Sequence, residues 1–511
     1  MNLKIDLGKE KKELLKYAML FTFILGLIAH GFGFLNLNPS HDALHDFFSD
    51  DYSLTWQISL GRVLEPLYRL ITGSTIVMPW LAGILSVVWI GLSVYFTSRI
   101  FNVSGKLEVF IISGIFVTNK TVIALTASYM PWMGADMFAL LLSVLAVYFW
   151  RNFIETSKKK ELLLGSVCLM AALGLYQSYV AVTIFLIIVC CMLMLLEHKP
   201  AKAVMCAGIK SIVMIVIGGG LYFILLKFIC SVFHISLQSG YNSVTNLWSN
   251  SEPIYARFIW AYRQVIEQFT TKSSSIYPQF VLIVVNIILL LSCLAEIVYF
   301  LSKNKITKVN ILLLVVLTML IPLGVNIIRV LNSDTHSLMY YAIYLIYLLP
   351  ILLVQFYLKQ SSNKIKKLYQ FSYILLLFII FTNIQTANLV YTEKQVQYNS
   401  TLSTMTIVVH DIENQEGYIP GETPVIFVGT PGDALTELPS KKHIQNITGV
   451  EENSAITYDF ESYFENVLQK EIRIEDVEEK NVNEIKALPA YPEKGYITWI
   501  DGKLIVKFGD E

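Results

Sequence analysis

Val281–Leu291 reads VLIVVNIILLL, and Ile374–Phe381 is as oily. Such runs are too apolar and too frequent for a water-soluble core. Windows around them reach the ~20 apolar residues that cross a hydrocarbon layer. The whole chain agrees: of 511 residues, 55% are hydrophobic and 15% charged, with a mean hydropathy of +0.56. Soluble domains carry roughly 25% charged residues. The reading is an all-α polytopic membrane protein.

The formal charge of zero hides a split. Residues 1–387 hold 29 Lys/Arg against 17 Asp/Glu, and residues 388–511 hold 10 against 22. That shift marks a boundary between a basic transmembrane module, 1–387, and an acidic domain, 388–511. Cys168, Cys190, Cys191, Cys206, Cys230 and Cys293 lie in or beside apolar segments without a CxxC pair. They read as small hydrophobes, with no disulfide framework or zinc site. Lys9, Lys11, Lys12 and Lys16 precede an apolar run that lacks a small-residue cleavage site, so Lys16–Leu37 reads as a retained first span.

Eleven apolar spans are expected, near 16–36, 76–98, 107–126, 132–150, 162–176, 178–197, 204–227, 279–301, 309–330, 337–358 and 367–387. Lysine and arginine gather in alternate connections: Arg99 and Lys106; Arg151 and Lys158–Lys160; Lys199 and Lys202; Lys303, Lys305 and Lys308; Lys359, Lys364, Lys366 and Lys367. The positive-inside rule places these loops and the N-terminus in the cytoplasm. An odd span count then puts the acidic domain outside. The pair 162–176 and 178–197 is short, so one of the two could be re-entrant. Three long elements face outward: a first loop 37–75, a second loop 227–278, and the tail.

The first loop carries NPSHDALHDFFSDD, Asn38–Asp51, directly after the first span. Asp42, Asp46 and Asp50 are four apart, as are His41 and His45, so a helix would align each set. Three readings stand on the residues alone. The charges cap helices in a solvated loop. Alternatively, His41, His45 and Asp46 hold a divalent metal, which the spacing permits but which is not favoured. Or one carboxylate is a general base toward an acceptor hydroxyl. The next stretch, LTWQISLGRVLEPLYRLI, is expected to form one interfacial helix over 54–71. Leu60, Val63, Leu64, Leu67 and Ile71 fall on its apolar face, and Arg62, Glu65 and Arg69 on the opposite one.

SHDALH (Ser40–His45), the Gly61–Arg62 pair and GLYQSY (Gly174–Tyr179), in that order, resemble the serotype-converting O-antigen glucosyltransferase family. The similarity runs from the first span to about residue 390. It implies a C-type membrane glycosyltransferase that takes a hexose, typically glucose, from undecaprenyl-phosphate sugar. The acceptor would be an envelope polysaccharide or lipid-linked glycan on the outer face of a bacterial cytoplasmic membrane. The family's loop acid falls on Asp42 and its Gly-Arg pair on Gly61 and Arg62. Ala43 and Val63 stand where the family pattern favours a serine and an aromatic residue.

Such a transfer needs a carboxylate to take the acceptor's proton, a role expected of Asp42 or Asp46. It also needs positive charge on the leaving phosphate, which arginine's fork matches. Arg62 is the first candidate. Arg257 and Arg263, on an expected interfacial helix within Ser251–Phe269, and Arg329, at the end of the ninth span, follow. Asp136, an ionisable group at a span start, joins His41, Tyr129, Tyr176 and Gln177 as candidates for holding sugar or acceptor. Trp132 sits at the same level. Membrane lipid is the surrounding partner; no nucleic-acid partner and no required cofactor are expected.

In the tail, Pro424–Gly429 reads as a buried strand and Tyr458–Glu471 as a helix. Tyr496–Phe508 reads as a hairpin turning at Asp501-Gly502. These make a small extracytoplasmic α/β domain whose surplus acid disfavours anionic ligands. A glycan polymerase or ligase, or a lipid-linked-sugar flippase, is the alternative function. A flippase would place charges at mid-membrane in repeated halves, a pattern the sequence lacks.

Overall fold

The computed structural model describes residues 2–36, 38–40, 42–46, 51–74, 76–238, 252–272, 274–303, 306–332, 335–358, 366–477 and 482–510. Among them, eight helices are long and apolar enough to cross a membrane, or nine if one bent pair counts as a single span. The protein is a multi-pass, almost wholly helical membrane protein. The bent pair, Lys106–Val117 and Lys120–Ser128, turns by 46°. Asn119 sits at the break, and its side chain accepts from the backbone N–H groups of Thr121 and Val122, starting the second helix afresh. Two expected spans are shorter helices: Lys159–Leu175, with 17 residues, and the apolar stretch Tyr341–Phe356.

The helix Ala201–Phe233 shows how such a bundle packs. Its buried residues are Val204, Ala207, Ser211, Met214, Gly218, Tyr222 and Leu226, a single stripe at steps of three and four. A Cβ at Gly218 would lie 2.9 Å from the carbonyl oxygen of Ser166, so this glycine sets the close approach to Lys159–Leu175. The other faces of the helix are apolar and exposed, as lipid contact requires.

The lysine-bearing connections collect at one end of the bundle. Lys106 lies 4.8 Å from the ring centre of Tyr17 in the first helix, and the Lys199 carbonyl accepts from Asn310 at 3.0 Å. The last long helix, Lys366–Glu413, has 48 residues and is therefore ~72 Å long. It crosses from the lysine end and runs on into the tail; the boundary expected at residue 387 falls inside it.

The tail is built on a four-stranded sheet ordered β2-β1-β4-β3, formed by β1 (Pro424–Val428), β2 (Arg473–Ile474), β3 (Ile497–Ile500) and β4 (Lys503–Lys507). β1 is parallel to both neighbours, and β3–β4 is the antiparallel hairpin. Asp501 and Gly502 both have positive φ, 51° and 76°, the two-residue turn that matches strand twist. Val425, Leu504 and Val506 pack with Met405, Val408 and Ile412 of the long helix. Ile426 and Ile505 turn to the other face, against Ile485 and Ile500. Tyr458–Glu471, expected as one helix, is a turn of α-helix, Phe460–Tyr463, followed by a π-turn, Phe464–Leu468.

The tail also inserts into the bundle. Ile444, Ile447 and Val450 lie in the main membrane core. Gly449 has φ +79°, and a Cβ there would meet the Ser128 Cβ at 2.7 Å and the Tyr129 ring at 2.9 Å. Thr448 exchanges hydrogen bonds with Ser337.

Two expected surface helices differ from the sequence reading. The stretch 54–71 is not one helix. Asp51–Ser59 ends, and Glu65–Thr72 begins after a turn at Gly61, whose φ of +83° no L-residue favours. The expected apolar face is divided: Leu60 and Val63 are buried, whereas Leu67 is half exposed. Glu65 and Arg69 are buried, while Leu70 and Ile71 are 70% and 76% exposed. Ile254–Phe269 behaves alike: Arg257 and Gln268 are buried and Ile254, Ile259 and Ile266 exposed. Ser251, where the expected stretch begins, lies outside the described residues; Pro253 precedes this helix.

Candidate active site

At the tail end of the bundle lies a cavity of about 760 Å³, within the size range of small-molecule sites. Its wall comes from three parts of the chain. Asp42, His45, Asp46, Trp56, Gln57, Leu60 and Arg62 belong to the first loop. Leu125, Tyr129, Trp132, Asp136 and Tyr176 belong to the bundle. His336, Leu338, Thr448, Tyr458 and Asp459 come from a later loop and the tail.

The Gly61 turn aims Arg62. The Gly61 carbonyl accepts from Tyr222 at 3.0 Å. Gln177 donates to both the Leu60 carbonyl and the Tyr222 hydroxyl, at 3.1 and 3.0 Å. The Leu64 N–H donates to the Gly174 carbonyl at 2.8 Å. The Gly-Arg pair and the GLYQSY stretch, far apart in sequence, therefore form one unit. Gln177 fixes the turn that presents Arg62 and is not itself in the cavity wall. The Arg62 guanidinium lies 4.4 Å from the Tyr176 ring centre, a cation–π contact, and donates to the Gln57 side chain at 3.0 Å. Its Nε and the Trp132 indole N–H are buried with no acceptor among the described residues. Unmet buried donors are costly, and both belong to residues of the cavity wall.

Beneath the wall sits a charged triplet. Arg69 lies 3.8 Å from the Asp46 carboxylate and 4.0 Å from that of Glu65, and it donates to the Asp46 carbonyl at 3.3 Å. Burial pushes the Glu65 carboxyl up to about 8, against the pull of Arg69 and with the push of Asp46. Arg69 thus stands between two carboxyl groups, those of Asp46 and Glu65. The charged face of Glu65–Thr72 turns inward because its charges meet one another there, which leaves Leu67 and Leu70 outward.

Asp42 stands at the rim, and Tyr458 of the tail donates its hydroxyl to the Asp42 carboxylate. Leu44, two residues on, is buried in the tail's own core. The first loop is thus clasped between bundle and tail. Asp136, in the buried start of Met130–Thr156, and Tyr129 face the same space.

The other sequence candidates lie apart. The Arg329 Nη2 donates to both carboxylate oxygens of Glu252, at 3.0 and 3.2 Å, and Arg257 donates to the Glu252 carbonyl at 3.0 Å. Arg263 is exposed and pairs with Glu267 at 2.8 Å. These three are not in the cavity wall. A chain of side chains nevertheless leads toward it: Asn326 to Gln264 to Thr335, with His336 next in sequence on the wall. His41 and Asp50 lie outside the described residues. His45 and Asp46 share the wall, and the described residues hold no cluster of three His, Cys, Asp or Glu placed to bind a metal.

Sequence reasoning missed Trp56, Gln57, His336, Thr448, Tyr458 and Asp459. The first two carried a signal, standing five and four residues before Gly61 of the Gly-Arg pair. The tail residues carried none, since their place depends on how the tail docks.

The family model Glucosyl transferase GtrII matches residues 31–346. That stretch holds every bundle and loop residue of the cavity wall and none from the tail. No curated protein matches the chain.

Proposed function

This chain belongs to the Glucosyl transferase GtrII family, and on that premise we propose how a membrane glucosyltransferase of this build works. The donor is a polyprenyl-phosphate glucose, the acceptor an envelope glycan, and transfer takes place on the outer face of a bacterial cytoplasmic membrane. The acceptor hydroxyl oxygen attacks the anomeric carbon. The bond from that carbon to the phosphate oxygen breaks, and polyprenyl phosphate leaves. Asp42 takes the hydroxyl proton, an assistance worth roughly 10²–10⁴ in rate. Arg62 meets the charge that develops on the leaving phosphate. Asp46, braced by Arg69, and Asp136 orient sugar hydroxyls.

The observation that carries this reading is the convergence of Asp42, Asp46, Asp136 and Arg62 on one cavity. Orientation is argued from charge: the lysine connections gather at the opposite end, which the positive-inside rule assigns to the cytoplasm. Residues 1–387 act as the transferase module, and the sheet-bearing tail as its extracytoplasmic partner. Arg257 and Arg329, clustered at Glu252 beside the exposed apolar helix Ile254–Phe269, hold the carrier lipid's neighbourhood.

The test is transfer by purified protein in vesicles, given undecaprenyl-phosphate [¹⁴C]glucose and the host's envelope polysaccharide. The expected result is label in acid-labile glycosidic linkage to the glycan. Label passing directly from UDP-glucose without the lipid carrier, or lipid crossing the bilayer with no new bond, contradicts the reading.

A further inference from the structure

Resting on the transferase reading above, we propose that a second cleft in the tail holds the body of the acceptor glycan, one that is neutral rather than anionic. The cleft has a volume of about 380 Å³ and opens at the carboxyl ends of the parallel strands β1 and β2. That is where open parallel sheets place their ligands. It shares Tyr458 and Asp459 with the cavity that holds Asp42.

Its chemistry suits a sugar chain. Phe427 and Phe460, stacked with centroids 4.5 Å apart, give the cleft an apolar floor against which the C–H face of a pyranose can rest. Asp459, Glu461, Glu475 and Asp476 offer acceptors for hydroxyls. Two cations stand beside these acids, Arg473 and Lys503, and both pair with Glu475, at 2.6 and 2.8 Å. The net negative field rejects uronic acids and phosphodiesters. The rim is built rather than loose: the Asp433 carboxylate accepts from the Thr430 N–H at 2.7 Å. At Gly429, φ +74°, a Cβ would lie 2.6 Å from the Gly509 nitrogen. A glycan lying in this cleft passes over Tyr458, which is hydrogen-bonded to Asp42. Its reacting hydroxyl is thereby delivered to the proposed base.

The experiment uses the full chain in vesicles, without donor. The probe is the host envelope polysaccharide, cut by partial acid hydrolysis and separated by anion exchange into neutral and anionic oligosaccharides. Binding is read by equilibrium dialysis for the wild type and for Val477→Trp, which fills the cleft from its exposed edge. Glu461→Ala serves as a second, smaller change. The expected result is binding of the neutral pool, weakened at least tenfold by Val477→Trp and severalfold by Glu461→Ala; a separate transfer assay with donor present gives an unchanged KM for undecaprenyl-phosphate glucose. Equal binding by wild type and Val477→Trp, no binding of either pool, or tighter binding of the anionic pool overturns the proposal. If neutral glycan binds the wild type and not Val477→Trp, yet no glucose is transferred, the transferase reading fails and the cleft assignment stands.

Discussion

The tail and the helices that flank the cavity bury opposite kinds of residue. In the tail, Val425, Ile456, Tyr463 and Phe464 are inside, and carboxylates such as Glu461 are outside. At the end of the bundle nearest the tail, Glu65, Arg69 and Arg257 are inside, and Leu70, Ile71 and Ile259 are outside. Both follow one rule: each side chain faces the phase that solvates it best. What differs is the phase. Water surrounds the sheet, and lipid surrounds the bundle. The membrane region is thereby required to keep charge indoors, and the cavity grows from that charge.

Breaking the inward charge is the most damaging change expected. Arg69→Met leaves Asp46 and Glu65 without their cation. Removing one partner of a buried pair costs about 3–5 kcal/mol, so thermal unfolding in detergent falls steeply; a variant as stable as wild type contradicts the inward-charge account. Repacking the tail is next. Ile456→Ala removes a fully buried side chain and costs about 2–5 kcal/mol, read in the same assay. The outward face gives a smaller effect of diagnostic sign. Ile71→Ser costs on the order of 1 kcal/mol if lipid surrounds it, whereas a water-facing serine would be neutral within about 0.5 kcal/mol.

The last effect is a slope rather than a single loss. The folded carboxyl of Glu65 is raised to about 8 from an ordinary 4.5, so the folded state holds a proton that the unfolded state has released. Its contribution is full below about 4.5, is lost as pH rises toward about 8, and is flat above. Glu65→Gln removes this decline. Unfolding of the two proteins measured from pH 5 to 9 checks it, and parallel curves contradict the assignment.

The same contrast explains what the sequence could convey. Apolar length marks the eight long helices whatever their neighbours, and Asp501-Gly502 between β-formers marks the hairpin, because both signals are local. The face of Glu65–Thr72 depends on the surrounding phase, which periodicity does not encode. Gly61 reads as a permissive residue inside an amphipathic pattern; only the hydrogen bonds from Tyr222 and Gln177 and the contact at Gly174 make it a break. Asp42, Asp46, Arg62, Asp136, Tyr129 and Tyr176 were within reach, since ionisable and aromatic residues at span ends are few. Tyr458 and Asp459 were not, because a strand-and-helix tail gives no hint of which loop it docks upon. Gln177 was singled out and lies behind the turn, a placement spacing alone does not distinguish from the wall.

The most direct test of the central claim, that the first-loop carboxylate at the cavity rim drives transfer, is the rate of glucose transfer by Asp42→Asn at saturating donor and acceptor. The amide keeps the shape and the hydrogen bond from Tyr458 but cannot take a proton. The account predicts a loss of roughly 10²–10⁴ in kcat, with unchanged thermal stability and donor KM. Wild-type kcat in that variant would contradict it.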